Sequence, residues 1–294
     1  MLIALPPPQL LEISGADALA FAQAQFSSDV SALETGCWQW SAWLNAQGRV
    51  RAFFHLLRPA DDKLWLLLRG GDASRLRDAL VRYVLRAKAT LQTVDTMQAF
   101  LVADDAAIPD ASLAYDTDMI MLLGDGRLCL ALPVKRWLLL APTTLAPTAQ
   151  ESDDARNQAA LADIDAGLVW LDSTLEEKLL PQWLGLDALG ATSVRKGCYP
   201  GQEVVARLHF KGGVKRGLHR FDYRTPSLPA AGTSIEPGDA SADSGGVVIN
   251  AAWREPGLAT ALAVLPNGTA DPAVTLSINQ CSIGTIVRAI VEEK

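Results

Sequence analysis

The spacing of hydrophobic positions changes several times along the chain, and each change marks an element. Between Ser14 and Phe26, Leu19, Ala22 and Phe26 recur at three- and four-residue steps, which predicts a short helix capped near Ser14 or Asp17. The period then falls to two. Trp38, Trp40, Ala42 and Leu44 alternate with Cys37, Gln39, Ser41 and Trp43. The turn-forming run Asn45-Ala46-Gln47-Gly48 follows, and Val50, Ala52, Phe54 and Leu56 resume the alternation, so a β-hairpin is expected. Three tryptophans on one strand imply that both of its faces are covered. Lys63 to Leu68 reads as another strand. Asp72 is placed to cap a helix through Arg86, with Leu76, Leu80, Tyr83 and Val84 inward and basic residues late, where the helix dipole favours them.

Residues 99 to 141 hold short apolar runs broken by Pro109, Gly124 and Gly126, read as further strands. Asp153 or Asp154 opens a helix with Leu161, Ile164 and Leu168 inward and Gly167 at its end. From Gly213 helical periodicity disappears, and segments such as 246–252, 258–265 and 274–278 alternate with Pro and Gly turns. The pattern predicts an α+β fold divided at 212/213, with two mixed α+β subdomains in residues 1–212 and a β-barrel in 213–294.

A chain of 294 residues, 49% apolar and 20% charged, matches a soluble globular protein of two or three domains and excludes disorder. No apolar run approaches the roughly 18 residues of a membrane helix, and Met1 to Leu5 runs into three prolines instead of a signal-peptide core, so a cytoplasmic protein without a membrane partner is expected. Cys37, Cys129, Cys198 and Cys281 lie too far apart for CxxC spacing, and His55, His209 and His219 are the only histidines, so no metal site is expected. The Walker loop, the dinucleotide fingerprint and GxSxG are absent. Charge changes the picture. The net charge is −7, yet the window from Arg195 to Arg224 sets eight basic residues against Glu203 and Asp222, a net of +6. Such a segment either presents itself to an anion or pairs with acids elsewhere in the fold.

Inside that window, Arg195-Lys196-Gly197-Cys198-Tyr199-Pro200-Gly201-Gln202-Glu203 leads into Val204-Val205-Ala206-Arg207-Leu208. Two glycines and a proline predict a tight loop before a helix. Helix-start amides beside clustered bases suit a carboxylate or phosphate. Cys198 stands just before the helix, with Lys196 and Arg195 beside it to favour its thiolate, so Cys198 and Lys196 form the candidate catalytic pair. A cysteine that only fills core space is the alternative.

The run Lys196-Gly197-Cys198-Tyr199-Pro200-Gly201-Gln202-Glu203 resembles the K-G-C-[YF]-x-G-Q-E signature of the YgfZ proteins, folate-binding relatives of the glycine cleavage T-protein linked to iron-sulfur protein maturation and tRNA modification. The resemblance extends to Ile164-Asp165-Ala166-Gly167, Pro181-Gln182, Leu186 to Gly190, Val205-Ala206-Arg207 and Lys215-Arg216. It is weaker at Gln25 to Val30 and Asn45 to Arg49. It implies a cloverleaf of two α+β subdomains and a C-terminal β-barrel around a central folate channel. Tetrahydrofolate is then the expected cofactor, with Arg195, Tyr199, Gln202, Glu203, Arg207 and Gln182 as candidate ligands and Trp43 as a candidate stacking surface. Trp43 is equally what a core would contain, and Glu203 equally a helix-start acid.

Two departures bear on activity. T-proteins carry an aspartate on the strand after the Asn-x-x-Gly turn, where this chain has Ala52 or Phe53, and a glutamate after a proline that resembles Pro181, where this chain has Gln182. The expected function is a monomeric, folate-binding accessory protein for iron-sulfur client proteins or assembly factors, and through them tRNA modification. A lone thiol cannot hold a cluster that takes about four. A tetrahydrofolate-dependent one-carbon transferase, with Asp29 in place of the missing aspartate, and a non-catalytic module docking tRNA or an acidic protein are the alternatives.

Overall fold

The computed structural model describes residues 2–102, 119–123, 126–133, 136–149, 152–237, 245–267, 276–279, 281–283 and 286–288. Three antiparallel sheets divide the described strands. The first orders β3 (Trp38–Leu44), β4 (Val50–Ala60), β5 (Lys63–Leu68), β2 (Leu10–Ser14) and β6 (Thr90–Thr93). The second orders β1 (Leu2–Ala4), β7 (Met97–Val102), β10 (Arg136–Pro142), β9 (Leu128–Leu132) and β8 (Met121–Leu122). The third has seven strands, ordered β16 (Cys281–Ser282), β15 (Leu276–Ile278), β12 (Ser234–Pro237), β13 (Gly246–Glu255), β14 (Leu258–Pro266), β11 (Arg216–Arg224) and β17 (Ile286–Arg288). Among the described residues four α-helices join them: α1 (Ala18–Gln25), α2 (Ala73–Val81), α3 (Asp153–Asp165) and α4 (Gln202–Lys211).

The alternation in β3 and β4 decides how the layers stack. Trp43, Ala52, Phe54 and Leu56 face α1 and α2 in one core, with Phe21, Ala22, Leu76 and Leu80. Trp38, Trp40, Phe53 and Leu57 face the other way, into a core that also holds Leu101, Leu130, Leu138 and Leu140 of the second sheet and Ile249, Leu262 and Val264 of the third. That shared core makes one body of the three sheets, with Ala155, Ala159 and Ile164 of α3 set into it. Apolar contact of this extent is the main stabilising term.

The hairpin, the strand at 63–68 and the strands that make up the described elements after Gly213 match the sequence expectation. The Asp72 cap does too, since its Oδ1 accepts from the N–H groups of Ser74 (2.7 Å) and Arg75 (3.0 Å). The first helix is shorter than expected: Ser14 closes β2, and Gly15 turns at φ +124° with no room for a side chain against Lys88 O. Ala18, Phe21 and Ala22 supply its buried face, and Leu19 is only half-buried. The second helix stops at Val81 instead of Arg86, and the chain leaves it through Leu85 at φ +46°, with Tyr83 exposed. The third ends at the expected glycine: Gly167 has φ +69°, and Leu168 N–H returns to Asp163 O at 2.8 Å. Pro109 lies outside the described residues.

Candidate functional site

The loop from Arg195 to Gly201 is held at two points, and both holds reach back to the N-terminal quarter of the chain. Lys196 is buried, and its Nζ donates to Phe26 O (2.6 Å) and Ser28 O (2.8 Å) while lying 5.1 Å from the Tyr199 ring centroid. Burying an ammonium is costly unless acceptors meet it, and here two carbonyls and an aromatic face do. Burial lowers its pKa to about 8, against the pull of nearby Asp29. The carbonyls sit on a fixed support: Ser27 Oγ donates to Ala191 O (2.7 Å) and accepts from Ala42 N–H (3.1 Å), and Ser28 Oγ bonds Ser41 Oγ (2.7 Å).

The second hold is steric. Gly201, at φ +79°, precedes α4, and a Cβ there would come within 2.6 Å of Asn45 O and 2.7 Å of Gly48 Cα. Gly48 is at φ +74°, and its Cβ would meet Val204 at 2.8 Å. The two glycines let the signature loop and the hairpin turn touch backbone to backbone. The weakly matching segments 25–30 and 45–49 are therefore the seat of the strongly matching one.

Of the predicted residues, Arg195, Cys198, Glu203 and Arg207 are exposed along this loop and helix. Tyr199 is buried, its hydroxyl donates to Ser193 O (2.9 Å), and burial pushes its pKa up to about 12. Gln202 donates to Lys196 O at 3.4 Å. Glu203 occupies the first turn of α4, where an acid favours the helix. Gln182 lies across from α4, lining a cavity of about 380 Å³ with Asp187, Thr192, Val205, Leu208 and His209. Its Oε1 is buried with no hydrogen-bond partner among the described residues. Two candidate roles change. Lys196 is committed to main-chain carbonyls, so it positions the loop, and its placement beside Cys198 in sequence is not an activating contact. Trp43 is 1% exposed, between the Arg51 guanidinium 4.0 Å above its ring and the edge of Tyr83, which leaves no face for a ligand.

Sequence reasoning missed a second cluster at the end of α3. Asp163 pairs with Arg69 (2.7 Å) and Arg136 (2.9 Å), and Asp165 with Arg220 (2.9 Å) and Arg254 (2.7 Å). Arg69 follows β5, Arg136 opens β10, and Arg220 and Arg254 lie on β11 and β13, so one helix end gathers cations from all three sheets. Acids in the last turn oppose the helix dipole, and that was the readable signal. Beside them a cavity of about 250 Å³ is lined by Leu5, Pro6, Arg156, Asp163, Trp170 and Asn250 among others. Trp170 is 42% exposed, its backbone N–H and C=O are both bonded by the Asn250 amide, and the Arg69 guanidinium lies 5.2 Å from its ring.

Around the strand position where T-proteins carry aspartate, Ala52 and Phe53 are buried. The neighbouring carboxylates are engaged: Asp72 and Asp172 cap turns, and Glu176 pairs with Arg75 (3.5 Å). Asp29 accepts from Gln23 Nε2 (3.0 Å).

No protein-family model matches the chain. It is 31% identical over 246 residues to the tRNA-modifying protein YgfZ of Klebsiella pneumoniae, covering 77% of this chain and 73% of that one. The protein of the same name from Sodalis glossinidius is 28% identical, with 97% and 90% covered, and an uncharacterized protein of Haemophilus influenzae is 30% identical, with 88% and 82% covered. Among solved structures, the glycine cleavage system aminomethyltransferase T of Bartonella henselae superposes with a TM-score of 0.68 over 98% of this chain and 84% of that one, at 15% identity. The T-protein-like fold, the signature loop and the extent of these matches agree: the chain belongs to the YgfZ family.

Proposed function

We propose that the protein is a folate-binding accessory factor that supports the maturation or repair of iron-sulfur enzymes and, through them, tRNA modification. The observation that carries this reading is the placement of Cys198. It is the one exposed residue among the four cysteines, on a loop whose position is set by a buried lysine and two interlocked glycines. A thiol presented in this way can form a transient bond with a client or serve as one ligand of a cluster in transit, the client supplying the others.

The residues around the junction cavity fit a reduced folate. Trp170 offers an open aromatic face, and Arg156, 52% exposed and paired among the described residues only with Asp153 at 3.3 Å, suits the glutamate carboxylate of the tail. Bound tetrahydrofolate would supply a reduced pterin able to carry a one-carbon unit. Asn250 holds the Trp170 backbone, and the Arg69–Asp163–Arg136 group fixes the wall behind it. Aminomethyl transfer is not part of the proposal, because the carboxylates near Ala52 are committed elsewhere.

Titration with tetrahydrofolate, followed by calorimetry and by thermal shift, tests the folate half. The expected result is saturable binding that Trp170→Ala weakens and that Arg156→Glu weakens most for polyglutamylated folate. Absence of heat and of thermal shift in the unaltered protein would overturn it.

A further inference from the structure

The far end of α4 carries a feature that neither the thiol nor the folate cavity uses. Val205, Leu208 and His209 line the cavity of about 380 Å³ beneath the helix, a volume within the range of small-ligand pockets. Its polar lining is the Gln182 amide, the Asp187 carboxylate, the Thr192 hydroxyl and the His209 ring, and the Gln182 Oε1 acceptor has no partner among the described residues. Among the described residues no lysine or arginine lines it. The cations lie outside, on the adjoining face of the helix, where Arg207 and Lys211 flank Phe210, and Lys215 follows two residues after the helix-ending glycines. All three cations are exposed, and none pairs with an acid among the described residues. Phe210 is 74% exposed, and the His209 ring lies against it edge-on at 4.9 Å.

Acceptors inside a pocket, a bare aromatic ring at its rim and unpaired cations beyond make a definite chemical demand. A ligand that satisfies all three brings N–H donors on a flat ring and negative charge attached to it. We infer that this end of α4 is a docking site for a single nucleic-acid strand, which inserts one unpaired base beneath the helix. An exocyclic amine or ring N–H of that base bonds Gln182 Oε1, a neighbouring base stacks on Phe210, and Arg207, Lys211 and Lys215 meet the phosphates. The charge distribution supports a polyanion: this positive face belongs to a chain of net charge −7, so its three exposed cations stand out against an acidic whole. A duplex is excluded from the pocket because its bases are stacked and paired. An acidic run such as polyglutamate would use the cations and could offer backbone N–H groups to Gln182, but it brings no flat ring to stack on Phe210.

Fluorescence anisotropy with a short labelled RNA strand tests the inference, with the same strand in a duplex and a polyglutamate peptide as comparisons. The strand binds and the other two do not displace it. Phe210→Ala weakens binding roughly 5- to 150-fold, the range for losing one stacked base. The affinity falls with salt with a logarithmic slope near −2 for three phosphates, and Lys211→Glu flattens that slope by about 0.7. Gln182→Leu weakens binding and leaves the slope unchanged. All three substitutions are checked by thermal melting. Trp170→Ala leaves strand binding intact, so failure of the folate proposal and failure of this one are separable. No binding at low salt, equal displacement by duplex or polyglutamate, or indifference to Phe210→Ala and Gln182→Leu would overturn the inference.

Discussion

Replacing Lys196 by methionine keeps most of the stem but removes the ammonium, and its consequence depends on pH in a direction set by burial. At pH 7 the substitution withdraws the donor of Phe26 O and Ser28 O, which were bonded at 2.6 and 2.8 Å. Each carbonyl left unsatisfied costs about 1–3 kcal/mol, and part of that is offset because a charge no longer has to be buried. A net loss of about 1–3 kcal/mol is expected. The pH dependence follows from linkage. The folded-state pKa is lowered to about 8 from 10.5, so between those values the unfolded chain holds more protons than the folded one, and stability rises with pH. At about 1.4 kcal/mol per unit the gain is bounded at about 3 kcal/mol. It arises because a neutral amine keeps its hydrogen bonds without the cost of a buried charge. The methionine variant has no such gain. Urea denaturation of both chains from pH 7 to 10.5 should therefore show their stability difference widening as pH rises. The other buried acids raised to about 12, Cys129 and Tyr223, cancel in the comparison, and a Tyr199→Phe background removes the third such acid, the phenol whose ring centroid lies 5.1 Å from the ammonium. A gap that stays constant or narrows with pH would refute the argument that burial governs this lysine.

Three shorter predictions follow from the same geometry. Asp163→Asn removes the charge that neutralises Arg69 and Arg136, whose side chains are each 7% exposed, and should cost about 3–5 kcal/mol in a urea melt; a loss under about 1 kcal/mol would show that water already solvates the pair. Alkylation of the native protein should modify Cys198 first and leave Cys129 untouched until unfolding, since Cys129 is fully buried and burial pushes its thiol to about 12; peptide mapping after brief treatment reads the order. Cys198→Ser should change stability by less than about 0.5 kcal/mol yet fail to restore iron-sulfur enzyme activity in cells lacking the native gene, and full restoration at equal protein level would leave the folate scaffold as the functional element.

What the sequence made legible was local. The hairpin follows from a period of two and the second helix start from a cap within three residues, both short-range properties. Residues whose roles depend on distant partners were misjudged or missed. Lys196 reads as an activator of Cys198 because the two are neighbours in sequence, but its ammonium reaches main-chain oxygens about 170 positions earlier. Asp163 and Asp165 stand at a helix end that disfavours acids, which announces cationic partners. No local rule could pick Arg69, Arg136, Arg220 and Arg254 out of 26 basic residues, because they arrive from three different sheets. The basic window shows the same division. Lys196 is spent on carbonyls, Arg220 on Asp165, and Arg216 on Gly245 O at 2.7 Å. Each of these offsets a cost of folding, so none of them can attract an outside anion. The bases left over, Arg195, Arg207, Lys211, Lys215 and Arg224, have no acid partner among the described residues, and two of them lie on α4, the helix that follows the exposed thiol. Removing Arg207 and Lys211 should therefore alter binding and not stability, whereas removing Arg220 should alter stability first.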